Sequence, residues 1–222
     1  MTKDPKANSP LRLTLRQRLL AMSLAALAGI GASLLIWQFT GFGPGGQGQQ
    51  QSPARNSGIA AVGGPFELVT HEGKTVTDQD FAGRYMLIYF GYTWCPDVCP
   101  LALQLMDDTL TRLGPDAAAI QPIFITIDPE RDTPEAIKAY LASFSPDLVG
   151  LTGTPEAIAA VAEAYKMYYR KTGPLDAADP QAYGVDHMNI FYLMGPDGAY
   201  VAHFMSPASP KDMATEIATH LP

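Results

Sequence analysis

Residues 85–101 read YMLIYFGYTWCPDVCPL. The first six are apolar or aromatic and carry no charge, a run that suits a strand covered on both faces. The chain then passes through Gly91 into a proline-punctuated segment that holds both of its cysteines, Cys95 and Cys99. Beyond it, Leu101, Leu105, Leu110 and Leu113 recur at helical spacing with Asp107, Asp108 and Arg112 off that face, and Gly114-Pro115 ends the run. A buried strand that feeds a helix through a loop of reactive side chains is the building unit of open α/β sheets. Those sheets bind ligands at the carboxyl ends of their strands.

The flanking sequence extends this unit. Residues 66–77 read as short β structure broken by a turn at Glu72-Gly73, and PIFITID at 122–128 is a second apolar strand that ends in the polar loop 129–132. Thr133-Pro134-Glu135 and Thr154-Pro155-Glu156 each place a threonine at a helix cap and a proline at the first helical position, where its missing N–H costs nothing. Residues 148–151 supply a short strand between those helices. Residues 189–194 and 199–205 flank Pro196-Asp197-Gly198 as a hairpin, and 210–221 form a last helix. The predicted order, β-α-β-α-β-α-β-β-α, is an α/β fold: a thioredoxin-like mixed sheet flanked by helices, over residues 65–222.

Ahead of that domain, residues 1–18 hold five basic residues against one acid, and 19–39 hold no charge at all. At about 1.5 Å per residue that span crosses a hydrocarbon core of roughly 30 Å, so one transmembrane helix is expected, with the basic residues 1–18 in the cytoplasm and Trp37 and Phe39 at the far interface. The pattern Ala26-Leu27-Ala28 offers a competing signal-peptide reading, but the apolar stretch continues past it to Trp37. Residues 40–64, rich in Gly, Gln, Ser and Pro, read as a flexible linker. The 15 basic and 22 acidic residues of the chain leave 10 and 21 after Arg18, a formal charge of −11. Nucleic acid is thereby excluded as a partner, and a cationic partner or metal ion is compatible. The expected setting is a bacterial cytoplasmic membrane with the carboxy-terminal domain in the periplasm, ahead of a mitochondrial inner membrane.

Two cysteines four residues apart are too few and too close for a disulfide framework, so they read as chemical residues. Pro100 predicts that regular helix begins near it, leaving 95–99 as a loop next to a helix amino terminus, where the thiolate is favoured. Three intervening residues let both sulfurs reach one ion, and two thiolates are a soft donor set suited to Cu(I). The same pair is also compatible with redox chemistry.

The chain resembles the Sco/SenC family from about Pro65 onward. The likeness rests on Gly91-Tyr92-Thr93 ahead of CPDVCP at 95–100, TIDPERDTP at 126–134, GLTG at 150–153, Val185-Asp186-His187 ahead of Phe191-Tyr192-Leu193, and Pro196-Asp197-Gly198. The resemblance implies a thioredoxin-like fold, copper as Cu(I) or Cu(II) held by Cys95, Cys99 and His187, and a role in maturing the dinuclear copper centre of cytochrome c oxidase. It implies the copper-bearing subunit of that oxidase as partner, with other copper chaperones or a thioredoxin-like reductant beside it. Asp97, Asp128 and Asp186 are candidates to support the ligands, Asp186 by accepting a ring N–H from His187. Met188 departs from the family pattern and reads as a packed methionine, with weak ligation as the alternative. Tyr92 is expected in the core and Trp94 beside the site; His71, His203 and His220 read as surface or packing residues. Three functions compete: a copper metallochaperone, a thiol-disulfide oxidoreductase acting through Cys95 and Cys99 on the oxidase's cysteines, and a thiol peroxidase. The last is disfavoured because Thr93 stands one residue too close to Cys95 for a T-x-x-C motif.

Overall fold

The computed structural model describes residues 62–173 and 182–222, together with Arg16. The predicted span 19–39, the residues before it apart from Arg16, and the linker up to residue 61 lie outside the described residues. Among the described residues no helix is long and apolar enough to cross a membrane.

Within the described residues 62–173 and 182–222, nine strands and four α-helices are formed: β1 (Glu67–Thr70), β2 (Thr75–Thr77), β3 (Tyr85–Gly91), α1 (Val98–Leu113), β4 (Ile120–Thr126), α2 (Pro134–Leu141), β5 (Val149–Thr152), α3 (Pro155–Ala164), β6 (Tyr169–Thr172), β7 (Gly184–His187), β8 (Ile190–Met194), β9 (Tyr200–Met205) and α4 (Pro210–Ala218). Seven strands form one mixed sheet in the order β2-β1-β5-β4-β3-β8-β9, while β6 and β7 form a separate two-stranded sheet. In the large sheet β5, β4 and β3 run parallel, and the strands on either side are antiparallel to them. The parallel centre explains the unbroken apolar runs. From Met86 to Gly91 and from Ile120 to Thr126 every residue is buried, because both faces are covered. Burying side chains such as Leu87, Ile88, Ile123 and Leu193 stabilises the fold by roughly 1.5–3 kcal/mol each.

The helices start as the capping residues dictate. Thr133 Oγ1 accepts from the Ala136 amide and Thr154 Oγ1 from the Ala157 amide, both at 3.2 Å, and Ser209 Oγ accepts from Asp212 at 3.4 Å, each with proline at the first helical position. Helix α2 lies so close to β5 that a Cβ on Gly150 would stand 2.7 Å from Leu141 Cδ1 and closer still to Ile137. Helix α1 packs against α4.

Three features differ from the expectations. Helix α1 begins at Val98, not at Pro100, so Cys99 lies in its first turn; Pro100 is the third helical residue, where an amide has no intrahelical partner to lose. The buried stripe of α1 runs through Cys99, Ala102, Leu103, Leu105, Met106, Thr109 and Leu113, and Leu101 is 70% exposed. The third feature is the β6–β7 hairpin, which the sequence reading did not include. His187 closes β7, and the next strand starts at Ile190.

Candidate metal centre

The carboxyl ends of the three parallel strands carry the site, and one buried residue, Asp132, ties those ends together through its carboxylate and its carbonyl. Asp132, fully buried after β4, accepts the Thr93 amide at 3.0 Å, the Thr93 hydroxyl at 2.6 Å and the Thr126 hydroxyl at 2.6 Å, while its carbonyl accepts from the Thr152 hydroxyl at 2.8 Å. Thr93 follows β3, Thr126 ends β4 and Thr152 ends β5. Burial raises the Asp132 pKa, against the opposing pull of the threonine hydrogen bonds. The Ile127 amide also donates to the Gly91 carbonyl at 2.9 Å. The loop that leads to Cys95 is thus tied down on the β4 side.

Cys99 is fully buried and Cys95 half-buried, and no disulfide joins them. Gly91 makes room for Cys99: a Cβ there would stand 3.0 Å from the Cys99 sulfur and 2.9 Å from Phe124. Behind that sulfur the Tyr89 hydroxyl donates to it at 3.8 Å. Cys95 Sγ accepts from the Cys99 amide at 3.3 Å. The two thiols are therefore unequal. A hydrogen bond from the Cys99 thiol, opposed by burial and aided by the amides of Cys99 and Asp97, pushes the Cys95 pKa down to about 3. The same hydrogen bond, together with burial, drives Cys99 far up. Cys95 is the thiolate and Cys99 keeps its proton.

His187 brings its imidazole over this pair, with Nε2 3.5 Å from the Cys99 sulfur. Its Nδ1 lies 3.0 Å from the Met188 carbonyl, which can only accept, so in the neutral ring the proton sits on Nδ1 and Nε2 turns its lone pair to the sulfurs. Tyr89 and Tyr92 hold the ring edge-on, at centroid distances of 6.3 and 6.0 Å. A cleft of about 280 Å³, lined by Tyr92, Cys95, Val98, Val185, Asp186 and His187 among others, opens the site to solvent.

Two soft sulfurs and one imidazole nitrogen form a donor set that suits a copper ion in either oxidation state. Among the described residues no three His, Cys, Asp or Glu side chains form a ready-made metal-holding group. Here the three donors are engaged with one another: the Cys99 proton is shared with Cys95, and a metal would replace that proton.

The supporting residues divide. Asp97 caps α1 without a side-chain hydrogen bond and serves Cys95 through its amide. Asp186 does not orient His187; its carboxylate pairs with Arg170 at 3.3 Å, and the Met188 carbonyl takes the ring proton instead. Asp128 is fully buried, but it pairs with Arg131 and accepts the Tyr183 hydroxyl at 2.7 Å rather than touching a ligand. Met188 is partly exposed, not packed in the core, and its sulfur accepts the Tyr168 amide at 3.4 Å. Tyr92 is buried, as expected, and Trp94 is 61% exposed. His71 accepts the Gly150 amide, His203 meets the Tyr200 hydroxyl and His220 meets Glu216, so all three stand apart from the cysteines. Asp132 and Tyr183 were missed; the signal for the first was its place four residues past Asp128 in a loop bounded by hydroxyl residues.

A mixed sheet whose central parallel strands lead into a cysteine pair, met by a histidine from a separate two-stranded sheet, defines a thioredoxin-like domain with a thiol and imidazole donor site. Residues 54–222 match the SCO1/SenC family, and the chain belongs to it. It is 49% identical over 173 residues to the human mitochondrial protein SCO1 homolog, covering 75% of this chain and 55% of that protein. The chain thus spans about half the length of that relative. Among solved structures it is similar to Bradyrhizobium japonicum ScoI with copper bound (43% identity, TM-score 0.66, 72% of this chain and 100% of that one). It is also similar to yeast Sco1 with copper bound (35% identity, TM-score 0.67, 72% of this chain and 88% of that one).

Proposed function

We propose that the chain is a copper-binding assembly factor that takes copper on Cys95, Cys99 and His187 and delivers it to, or otherwise matures, the dinuclear copper centre of cytochrome c oxidase. Copper is cargo here, held until a partner takes it. The observation that carries the reading is the meeting of the Cys99 sulfur and the lone-pair nitrogen of His187 at 3.5 Å beside the Cys95 thiolate. Two relatives solved with copper bound support it. Cu(I) is satisfied by the two sulfurs, and the imidazole nitrogen extends the set to Cu(II). Release proceeds by ligand exchange, with the open cleft at Cys95 admitting the partner's donors and the buried Cys99 letting go last. The uncharged span 19–39 anchors the domain to a membrane and, through the linker 40–64, keeps it at high effective concentration near a membrane-bound oxidase, outside the cytoplasm.

A second reading, reduction of the oxidase's copper-site disulfide, is favoured by one observation: a thiolate next to a protonated, buried second thiol is the arrangement of an attacking and a resolving cysteine. Anaerobic titration with Cu(I) and Cu(II) of the wild type, Cys95→Ser, Cys99→Ser and His187→Ala separates the two. Carriage of copper requires that each serine variant lose Cu(I) and that His187→Ala lose Cu(II). Retention of both ions by His187→Ala at wild-type affinity refutes the three-ligand site. A reduction potential of the cysteine pair too high to reduce a partner disulfide removes the second reading.

A further inference from the structure

His187 does not belong to the sheet that carries the cysteines. It closes β7, which among the described residues pairs with β6 in a two-stranded sheet, and Met188 and Asn189 lead from it to β8, so the main-sheet ladder holds the imidazole from its carboxyl-terminal side alone. Side chains of the loop after β4 supply the tie on the other side. Tyr183, the residue before β7, is held there in three ways. Its ring lies 3.7 Å from the Arg131 guanidinium carbon, its carbonyl accepts from Arg131 Nη1 at 2.9 Å, and its hydroxyl donates to Asp128 at 2.7 Å. The other strand is held by the same loop, since Lys171 on β6 pairs with Glu130 at 2.7 Å and stands 4.7 Å over the Tyr183 ring. Arg131, in turn, lies 5.3 Å from the Trp94 ring and 5.7 Å from the Tyr92 ring, both on the cysteine loop, and the next residue, Asp132, holds Thr93. Residues 128–132 are the joint between the two halves of the site.

We propose that Tyr183, gripped by Arg131 and Asp128, is a positioning residue that holds His187 onto the cysteine pair and thereby sets the preference between the two copper oxidation states. The proposal rests on the reading of Cys95, Cys99 and His187 as copper ligands. Opening the clasp leaves the sulfurs in place and withdraws the imidazole, so Cu(I) stays bound while Cu(II) loses its nitrogen donor. Residues that orient a ligand from outside the coordination sphere typically change metal affinity by about 10–100-fold.

The experiment uses the full chain in detergent and two variants. Tyr183→Ala removes the stacking and the hydroxyl, while Tyr183→Phe keeps the ring on Arg131 and loses only the bond to Asp128. Without metal, hydrogen exchange is followed by mass spectrometry. With metal, Cu(I) and Cu(II) affinities and the Cu(II) electron paramagnetic resonance spectrum are measured beside His187→Ala. In Tyr183→Ala the β6 and β7 amides are expected to exchange at least about tenfold faster while β3 and β4 keep their protection. Its Cu(II) affinity is expected to fall about tenfold or more with nitrogen coupling lost as in His187→Ala, and Cu(I) affinity to stay within about threefold. Tyr183→Phe falls between the variant and the wild type, and serves as the test if Tyr183→Ala does not fold. Wild-type exchange and wild-type Cu(II) binding in a folded Tyr183 variant overturn the proposal, as does equal loss of both ions. Failure of the wild type to bind either ion overturns the copper reading instead, and the exchange data then judge the clasp by themselves.

Discussion

The most direct consequence of the unequal cysteines is a reaction rate that ignores pH. With its pKa pushed down to about 3 by the Cys99 hydrogen bond, Cys95 is already almost wholly thiolate at pH 5, and it stays so at pH 7. An ordinary cysteine with a pKa near 8.5 is only about 0.03% thiolate at pH 5, so Cys95 has roughly a 3000-fold advantage in reactive form there. Nucleophilicity falls with pKa at a Brønsted slope of about 0.4–0.5, and over some 5.5 units that removes roughly 2.5 decades. The net expectation is alkylation about tenfold faster than a model thiol at pH 5, about equal near pH 6, and about tenfold slower at pH 7. The sign is set by the lowered pKa: the thiolate is lost only as the pH falls toward 3, so between pH 5 and 7 the Cys95 rate is flat while that of a free thiol rises about 100-fold. Iodoacetamide labelling of the reduced, metal-free chain, quenched at intervals and read by peptide mass spectrometry, measures this for each cysteine, and buried Cys99 should remain unlabelled. A Cys95 rate that climbs tenfold per pH unit over that range refutes the assignment of thiolate and thiol. The same climb confined to the Cys99→Ala variant, which lacks the donor, confirms its source.

Two glycines separate damage to the site from damage to the fold. Gly91→Ala forces a Cβ to within 3.0 Å of the Cys99 sulfur, and should cost about 1–3 kcal/mol in denaturant melts while weakening Cu(I) binding about tenfold or more. Gly150→Ala meets Leu141 and Ile137 under α2 and should cost as much stability, with copper affinity unchanged by the same titration. Asp132→Ala strands the Thr93 amide and the Thr126 hydroxyl and is expected to lose about 3 kcal/mol by thermal denaturation. Asp132→Asn, which keeps one acceptor oxygen, should lose roughly half of that.

Much of this was legible in the chain. The doubly buried strands β3 and β4 appear as unbroken apolar runs because both their faces are covered, and the Thr-Pro starts of α2 and α3 are local chemistry that tertiary packing did not need to override. The cysteine pair showed itself by spacing. The β6–β7 pair did not, because Tyr169–Thr172 and Gly184–His187 are short half-polar strands separated by eleven residues in the sequence, so neither a clean alternation nor a two-residue turn signature marks them. The strand that ends in His187 went unread with it. The orientation of its ring by the Met188 carbonyl rather than by Asp186 is a backbone contact that no side-chain pattern encodes. Asp132 reads as a loop residue until the ends of three strands are seen to converge on it.

That convergence bears on what can be transplanted. A segment copied from Gly91 to Pro100 into another α/β protein would carry both sulfurs, yet it would leave behind Thr126, Asp132 and Thr152, which lie on two other strands and the loop that joins them. Such a graft would yield a dithiol without the anchor that fixes its loop. The smallest portable unit is the block of three neighbouring strand ends, and an engineer seeking this centre in a new scaffold would have to choose one whose own parallel strands can bring two hydroxyls to one carboxylate and a third to the same residue's carbonyl.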